Sequence, residues 1–234
     1  MDGLLSIIVP VYDERATIAT VLDRLLTIEL PLPREIIVVD DGSGDGTAEV
    51  LDRLGACNPL LTIVHLNRNR GKGHAVRFGL ARARGTVTVV QDADLELDPG
   101  QLASLIDPIL RNEADAVYGS RFLPGSARVP VLTRWGNASL TWLANLLFRS
   151  SLTDMETCYK VMRGDVARSL VLTADGFDIE PEITAMLLSG GYRIIERPVT
   201  FSPRSKAAGK KIRWRDGVHA VQMLLKQRFG AQRE

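Results

Sequence analysis

Between residues 4 and 91, short apolar runs alternate with amphipathic helical patterns, and that alternation leaves few folds open. Leu4–Val9, Glu35–Val39, Leu61–His65 and Thr86–Gln91 read as strands, whereas Ala16–Leu26, Thr47–Leu54 and Gly73–Ala83 read as helices. The expected fold class is α/β, a doubly wound, mostly parallel sheet. In such sheets ligands bind beyond the carboxyl ends of the strands.

The second half is less regular. Gln101–Asn112 predicts a helix, Ala116–Gly119 a short strand, Leu123–Val131 a loop rich in Pro, Gly and Ser, and Leu132–Phe148 a helix. Gly164–Leu172 and Pro181–Ser189 read as helices and Tyr192–Pro198 as a strand. No repeat, low-complexity segment or linker divides the 234 residues, and 45% hydrophobic content supports one substantial core. Residues 1–215 are expected to form one domain. Residues 216–234 are expected to add an amphipathic helix and tail, with Val218, Val221, Leu224 and Leu225 along one side.

Cys57 and Cys158 have neither metal-type spacing nor a disulfide framework, which fits a reduced, cytoplasmic compartment. Met1 leads into the first strand without a charged region or cleavage site, so no signal peptide is expected. The most apolar later run, Leu140 to Phe148, falls far short of the roughly 20 residues that span a bilayer. Any membrane contact is expected to be peripheral.

Polar clusters follow three of the strands: Tyr12-Asp13-Glu14, Asp40 to Gly44, and Asp92 to Glu96. Acids at alternate positions of an extended segment point the same way, so Asp92, Asp94 and Glu96 could share one hard cation, Mg2+ or Mn2+. A solvated strand end with a helix cap is the plainer alternative. The run Asp40-Asp41-Gly42-Ser43-Gly44-Asp45-Gly46-Thr47 lacks the G-x-G-x-x-G spacing of a dinucleotide site, and its acids would repel a pyrophosphate. They suit ribose hydroxyls or a base instead. Asp41 is the expected ligand residue there, while Asp45 and Thr47 are expected only to cap the helix.

These motifs carry a resemblance. Ile8-Val9-Pro10-Val11-Tyr12-Asp13-Glu14, Val39 to Thr47, Gly71-Lys72-Gly73, Gln91-Asp92-Ala93-Asp94-Leu95-Glu96 and Gly119-Ser120-Arg121-Phe122 resemble the family-2 glycosyltransferases. Among these the dolichyl-phosphate mannose synthase-like branch is most similar, and residues 152–215 continue the likeness more loosely. The resemblance implies a GT-A fold that takes a nucleotide-diphosphate sugar and inverts at the anomeric carbon. It implies that Pro10, Tyr12, Glu14 and Asp41 hold the nucleoside and that Asp92 and Ala93 line the donor. Asp92, Asp94 and Glu96 match the metal and diphosphate set; Glu96 departs from the Gln frequent in the mannose synthases and makes the site more acidic. Arg121 matches an arginine near the reacting phosphates, and Arg134 a second, acceptor-side arginine. The implied acceptor is a polyprenyl monophosphate, met at the cytoplasmic face of a membrane.

The chemistry agrees, because charge builds on the departing diphosphate and a cation can neutralise it. From Arg204 to Glu234 there are nine Lys or Arg against two acids. Arg204 and Lys210 are the expected pair in a lid over the diphosphate; a solvated charge run or an anionic-lipid patch are the alternatives. A hydroxyl acceptor needs a base, whereas a phosphate monoester attacks as an anion. Asp154 and Glu156 lie where related hydroxyl-using enzymes carry a catalytic acid, and Asp154 could equally hold the acceptor arginines. Same-fold transfer to a hydroxyl of a glycan or glycolipid therefore stays open, as do a nucleotidyltransferase and a non-catalytic nucleotide-sugar binder.

Trp135 and Trp142 share a helix face with Ser139, Leu143 and Leu146. Core packing is the ordinary expectation for such a face, and a bilayer interface the other. His65, His74 and His219 have no metal spacing and are expected to be structural. Nucleic acid is not an expected partner, since the basic residues are confined to one segment. A homo-oligomer or a membrane-protein partner stays open.

Overall fold

The computed structural model describes residues 3–126, 131–203 and 214–230. Its first strand, β1 (Leu5–Val11), is buried along its whole length, so both of its faces must be covered. Leu5, Ile7, Val9 and Val11 point into one apolar layer, where they meet Ile18, Val21, Leu22 and Leu25 of helix α1 (Ile18–Thr27). Ile8 points the other way, into a layer containing Ala75, Val76 and Leu80 of α3 (Lys72–Leu80). This period-2 alternation places one helix layer on each side of the sheet.

Between them lie β2 (Arg34–Asp40), α2 (Thr47–Cys57) and β3 (Leu61–His65), and after α3 comes β4 (Val87–Val90). A 3-10 turn at Pro99–Gln101 leads into α4 (Leu102–Leu110), β5 (Ala116–Ser120) and α5 (Val131–Phe148). β6 (Lys160–Arg163), α6 (Gly164–Ser169), α7 (Ile179–Ser189), β7 (Ile194–Pro198) and α8 (Trp214–Gly230) complete the described chain.

The sheet order is β3-β2-β1-β4-β6-β5-β7, and only β6 runs against its neighbours. β1 pairs with β2 on one side and β4 on the other. The chain therefore reverses direction across the sheet between these strands, and the reversal opens a crevice at their carboxyl ends. Pro10 fits within β1 because the Ile8 carbonyl, two residues earlier, faces β4, where it accepts from Gln91 N at 2.9 Å. Pro10 faces the same side, beyond the end of β4 at Val90, so its missing N–H costs no ladder bond.

Most expected elements are present, with three differences. β6 had no expected counterpart: it is four residues long and begins with a buried lysine, Lys160. α8 turns inward a side that shares Leu224 with the one expected but not Val218 or Leu225. Ala220, Met223 and Leu224 are buried, while Val218 and Leu225 are exposed, because α8 packs on α7 and α5. Trp135, Trp142 and Leu146 are exposed at 70%, 65% and 61%, so core packing is not their role. The inward side of α5 carries Asn137, Thr141 and Ala144.

Candidate active site

The first two rim clusters interlock through side chain to backbone bonds. Ser43 Oγ accepts from Asp13 N at 2.9 Å, Asp13 Oδ1 from Gly44 N at 2.8 Å, and Thr47 Oγ1 from Glu14 N at 3.0 Å. Asp45 accepts from the Thr47 and Arg15 amides, but the N-cap of α2 is Gly46, so neither Asp45 nor Thr47 occupies the expected capping position. The third cluster joins them through Thr17, whose hydroxyl hydrogen-bonds with Glu14 Oε2 and with the Ala93 carbonyl, both at 2.9 Å. Tyr12 stands in the negative field of Asp13, and further off of Asp41 and Asp45, which raises its phenol pKa. Pro10, Tyr12, Glu14, Asp41, Asp92, Ala93, Asp94 and Glu96 thus share one rim.

Asp41 is buried and accepts from Arg70 N at 3.1 Å and Gly71 N at 2.6 Å. Burial raises its carboxyl pKa, and those two amides oppose the rise. Two glycines permit this geometry. Gly42 has φ +72° and lies against the Arg68 and Asn69 backbone; Gly71 has φ +110°, and a Cβ there would stand 2.4 Å from the Asp175 carbonyl.

The acids at 92–96 do not lie along an extended strand. β4 ends at Val90 and the chain turns through 93–97, so the alternation that would aim three carboxylates together lapses. Asp94 Oδ1 accepts from Glu96 N at 3.0 Å, and Asp92 pairs with Lys72 Nζ at 2.7 Å. Among the described residues no group of three or more His, Cys, Asp or Glu is arranged to hold a cation. The residues still fit Mg2+ or Mn2+ in another way. Asp92 and Asp94 both add to the rise that burial gives the Cys158 thiol pKa, so both carboxylates lie within electrostatic reach of that one group. Mg2+ is commonly held by one or two carboxylates, with substrate phosphates completing its shell.

Lys72 had no assigned role in the sequence reading, and it is central. Its ammonium is buried between Asp92 and Glu180, 2.9 Å from the latter, and these carboxylates outweigh burial to raise its pKa well above the ordinary value. Glu180 also binds Lys160, which donates to the Met155 and Thr157 carbonyls as well. A buried chain of alternating charge thus runs from the acidic turn to the loop at 153–158.

That loop holds the second half of the site. Asp154, with no exposed surface, accepts from Arg121 N, Nε and Nη2 and from Asn137 Nδ2, the last at 2.7 Å. Burial opposes the Arg121 charge, but Asp154 outweighs it and keeps the guanidinium protonated. Glu196 fixes the loop by accepting from the Thr153 and Asp154 amides. Arg134 is exposed at the start of α5 and makes no ion pair among the described residues; Asn137, three positions on, reaches Asp154 instead. Nothing in the sequence set Asn137 apart from Thr133, Ser139, Thr141 and Asn145 of the same helix.

Arg204 and Lys210 lie outside the described residues. The chain leading to them passes the acidic turn: Ser202 N donates to the Glu96 carbonyl at 2.8 Å, and the Phe201 ring lies 5.3 Å from the Arg121 guanidinium. His65 bonds Asp40 and Asp52, in keeping with a structural role.

A family profile described as Glycosyl transferase family 2 matches residues 6–169. The chain is similar to the undecaprenyl-phosphate mannosyltransferase of Micrococcus luteus, 32% identical over 214 residues that cover 87% of this chain and 85% of that protein. It is also similar to the polyprenol monophosphomannose synthase of Mycolicibacterium smegmatis, 29% identical over 225 residues, covering 88% of this chain and 82% of the other. In fold it is similar to glucosyl-3-phosphoglycerate synthase from Mycobacterium tuberculosis, solved with Mn2+, uridine diphosphate and glucosyl-3-phosphoglycerate. The TM-score is 0.74 at 19% identity, over 97% of this chain and 80% of that one.

Proposed function

The chain belongs to glycosyltransferase family 2 and has the GT-A fold, and from that premise we propose that it moves a hexose from a nucleotide-diphosphate sugar to a polyprenyl monophosphate. The transfer inverts the anomeric carbon and uses Mg2+ or Mn2+. The observation that carries the acceptor choice is the state of Asp154. Its two oxygens already accept four hydrogen bonds from Arg121 and Asn137, so it serves as the anchor of an arginine and has no lone pair directed at an incoming hydroxyl. A phosphate monoester brings its own negative charge and needs a held cation more than a base. The lipid-phosphate acceptors in the names of the two relatives support the same choice.

Asp92 and Asp94 would hold the divalent ion, with Glu96 beside them. When bound, that ion supplies Lewis-acid neutralisation of the departing diphosphate. Lys72 orients Asp92, Asp41 braces the turn at Arg70-Gly71 beside the nucleoside, and Arg121, fixed by Asp154, orients the acceptor phosphate. Arg134, Arg204 and Lys210 complete the proposed cationic surround.

No described helix is long and apolar enough to cross a membrane. Peripheral contact at the inner membrane face is proposed through the exposed Trp135, Trp142 and Leu146 of α5, a helix without acidic residues that carries Arg134 in its first turn and is followed by Arg149. Tryptophan and arginine so placed suit an anionic bilayer interface.

The test incubates purified protein and Mn2+ with labelled nucleotide sugars, with and without polyprenyl phosphate. An acid-labile, lipid-soluble product is expected. Transfer only to glycan hydroxyls, with none to lipid phosphate, would overturn the acceptor.

A further inference from the structure

Glu156 stands apart from the other carboxylates of the reaction centre. Its Oε1 is buried and accepts no hydrogen bond among the described residues. Two cations stand nearby, but both are engaged elsewhere. Lys160 spends its three protons on the Met155 carbonyl, the Thr157 carbonyl and Glu180, while Arg121 turns Nε and Nη2 toward Asp154. A buried oxygen without a donor is costly, and such an atom calls for a partner or a functional reason.

The course of the loop indicates which part of the substrate. At one end, Asp154 anchors Arg121 on the acceptor side. At the other, Cys158 lies in the fields of Asp92, Lys72, Glu180 and Asp94, on the diphosphate side. Glu156 lies midway, and the hexose, tied to the diphosphate before transfer and to the acceptor after it, must occupy the intervening space. A carboxylate there finds hydroxyl donors and no phosphate that it would tolerate.

The geometry points to Glu156 as a specificity-determining residue whose Oε1 accepts a hydrogen bond from a hydroxyl of the transferred hexose. This rests on the nucleotide-sugar donor proposed above and is independent of the acceptor. Sites that hydrogen-bond a substrate hydroxyl discriminate strongly against analogues lacking it, so Glu156 selects among donors that differ at that carbon.

The experiment is calorimetric titration, with Mn2+, of wild type, E156Q and E156A with GDP, UDP, their hexose conjugates and the monodeoxy forms of the preferred conjugate. For E156A, the conjugate is expected to bind about 10- to 100-fold more weakly, the cost of one hydrogen bond to a charged group, with nucleoside diphosphate affinity unchanged. E156Q, which keeps an acceptor oxygen and the side-chain shape, is expected to retain most of the affinity, which separates recognition from misfolding. One deoxy donor should lose affinity for wild type and lose none further for E156A, since both changes remove the same bond. Equal conjugate affinity in wild type and E156A would overturn the assignment alone. Wild type that binds no nucleotide sugar would overturn the donor reading and this assignment together. Normal donor binding by E156Q with transfer lost a thousandfold would make Glu156 a proton acceptor and also overturn it.

Discussion

Arg121 grips Asp154 through three nitrogens, with N at 2.9 Å, Nε at 2.7 Å and Nη2 at 2.8 Å from the carboxylate, and Asp154 is wholly buried. The fork fixes the guanidinium plane, which a flexible lysine could not reproduce. Asn137 takes the remaining place on Oδ1, so α5 helps to set the orientation of Arg121.

Asp154→Asn leaves a buried guanidinium facing an amide. Removing one partner of a buried pair costs about 3–5 kcal/mol, and urea denaturation should show a loss of that order. Asp154→Leu combined with Arg121→Met should recover part of the stability while abolishing transfer.

Lys72→Met removes the ammonium that Asp92 and Glu180 face at 2.7 Å and 2.9 Å, leaving Glu180 with Lys160 alone. The variant is expected to lose about 3 kcal/mol, and adding Glu180→Gln should deepen the loss, because the buried Lys160 then loses its carboxylate. Thermal melts of the single and double variants give the coupling. Donor affinity should stay low in both, because Asp92 has lost its brace.

Burial pushes the Glu156 carboxyl up from its ordinary 4.5 to about 7; the charges of Lys160 and Arg121 oppose that rise, while Glu180 and Asp154 add to it. Below 4.5 the group is protonated whether the chain is folded or not, so it has no effect on stability there. Between 4.5 and about 7 the unfolded chain releases the proton that the folded chain keeps, and stability falls as pH rises. The loss reaches about 3 kcal/mol and levels off above that window. Glu156→Gln cannot titrate, so its stability relative to wild type should grow from pH 4 to pH 7.5 in denaturant titrations; a constant difference would contradict the assigned environment.

Replacing both Trp135 and Trp142 with Ser removes mainly exposed surface. Each indole that enters an interface contributes about 1.5–3 kcal/mol, so sedimentation with anionic vesicles should show binding weakened at least tenfold. Turnover with a short, water-soluble acceptor should be unchanged. Unaltered vesicle binding would remove α5 from the proposed membrane face.

The order β-α-β-α through residue 90 was legible because strand and helix patterns repeat over two and about four residues, within reach of local inspection. Tyr12, Asp41 and Asp92 were legible as rim residues for the same reason, each following a readable strand. β6 was not legible: four residues opening on a lysine carry no period, and it forms only because β4 and β5 stand ready on either side. The expected strand ran one residue past Val90, and the acids at 92–96 beyond it follow a turn and not the extended backbone expected, which redirects their carboxylates.

The remaining site residues owe their roles to contacts that close late along the chain. Arg121 and Asp154 are 33 residues apart, Asn137 and Asp154 17, and Lys160 and Glu180 20. Local pattern was enough to establish an α/β sheet with acids at the ends of β1, β2 and β4 and the family whose motifs those are. Which carboxylate anchors an arginine, which pairs with a lysine and which keeps a bare oxygen depended on packing. Proton affinity and hydrogen-bond vacancy are set by the atoms that surround a group in space, and in this chain those atoms come from β4, β6, α3, α5 and α7 together.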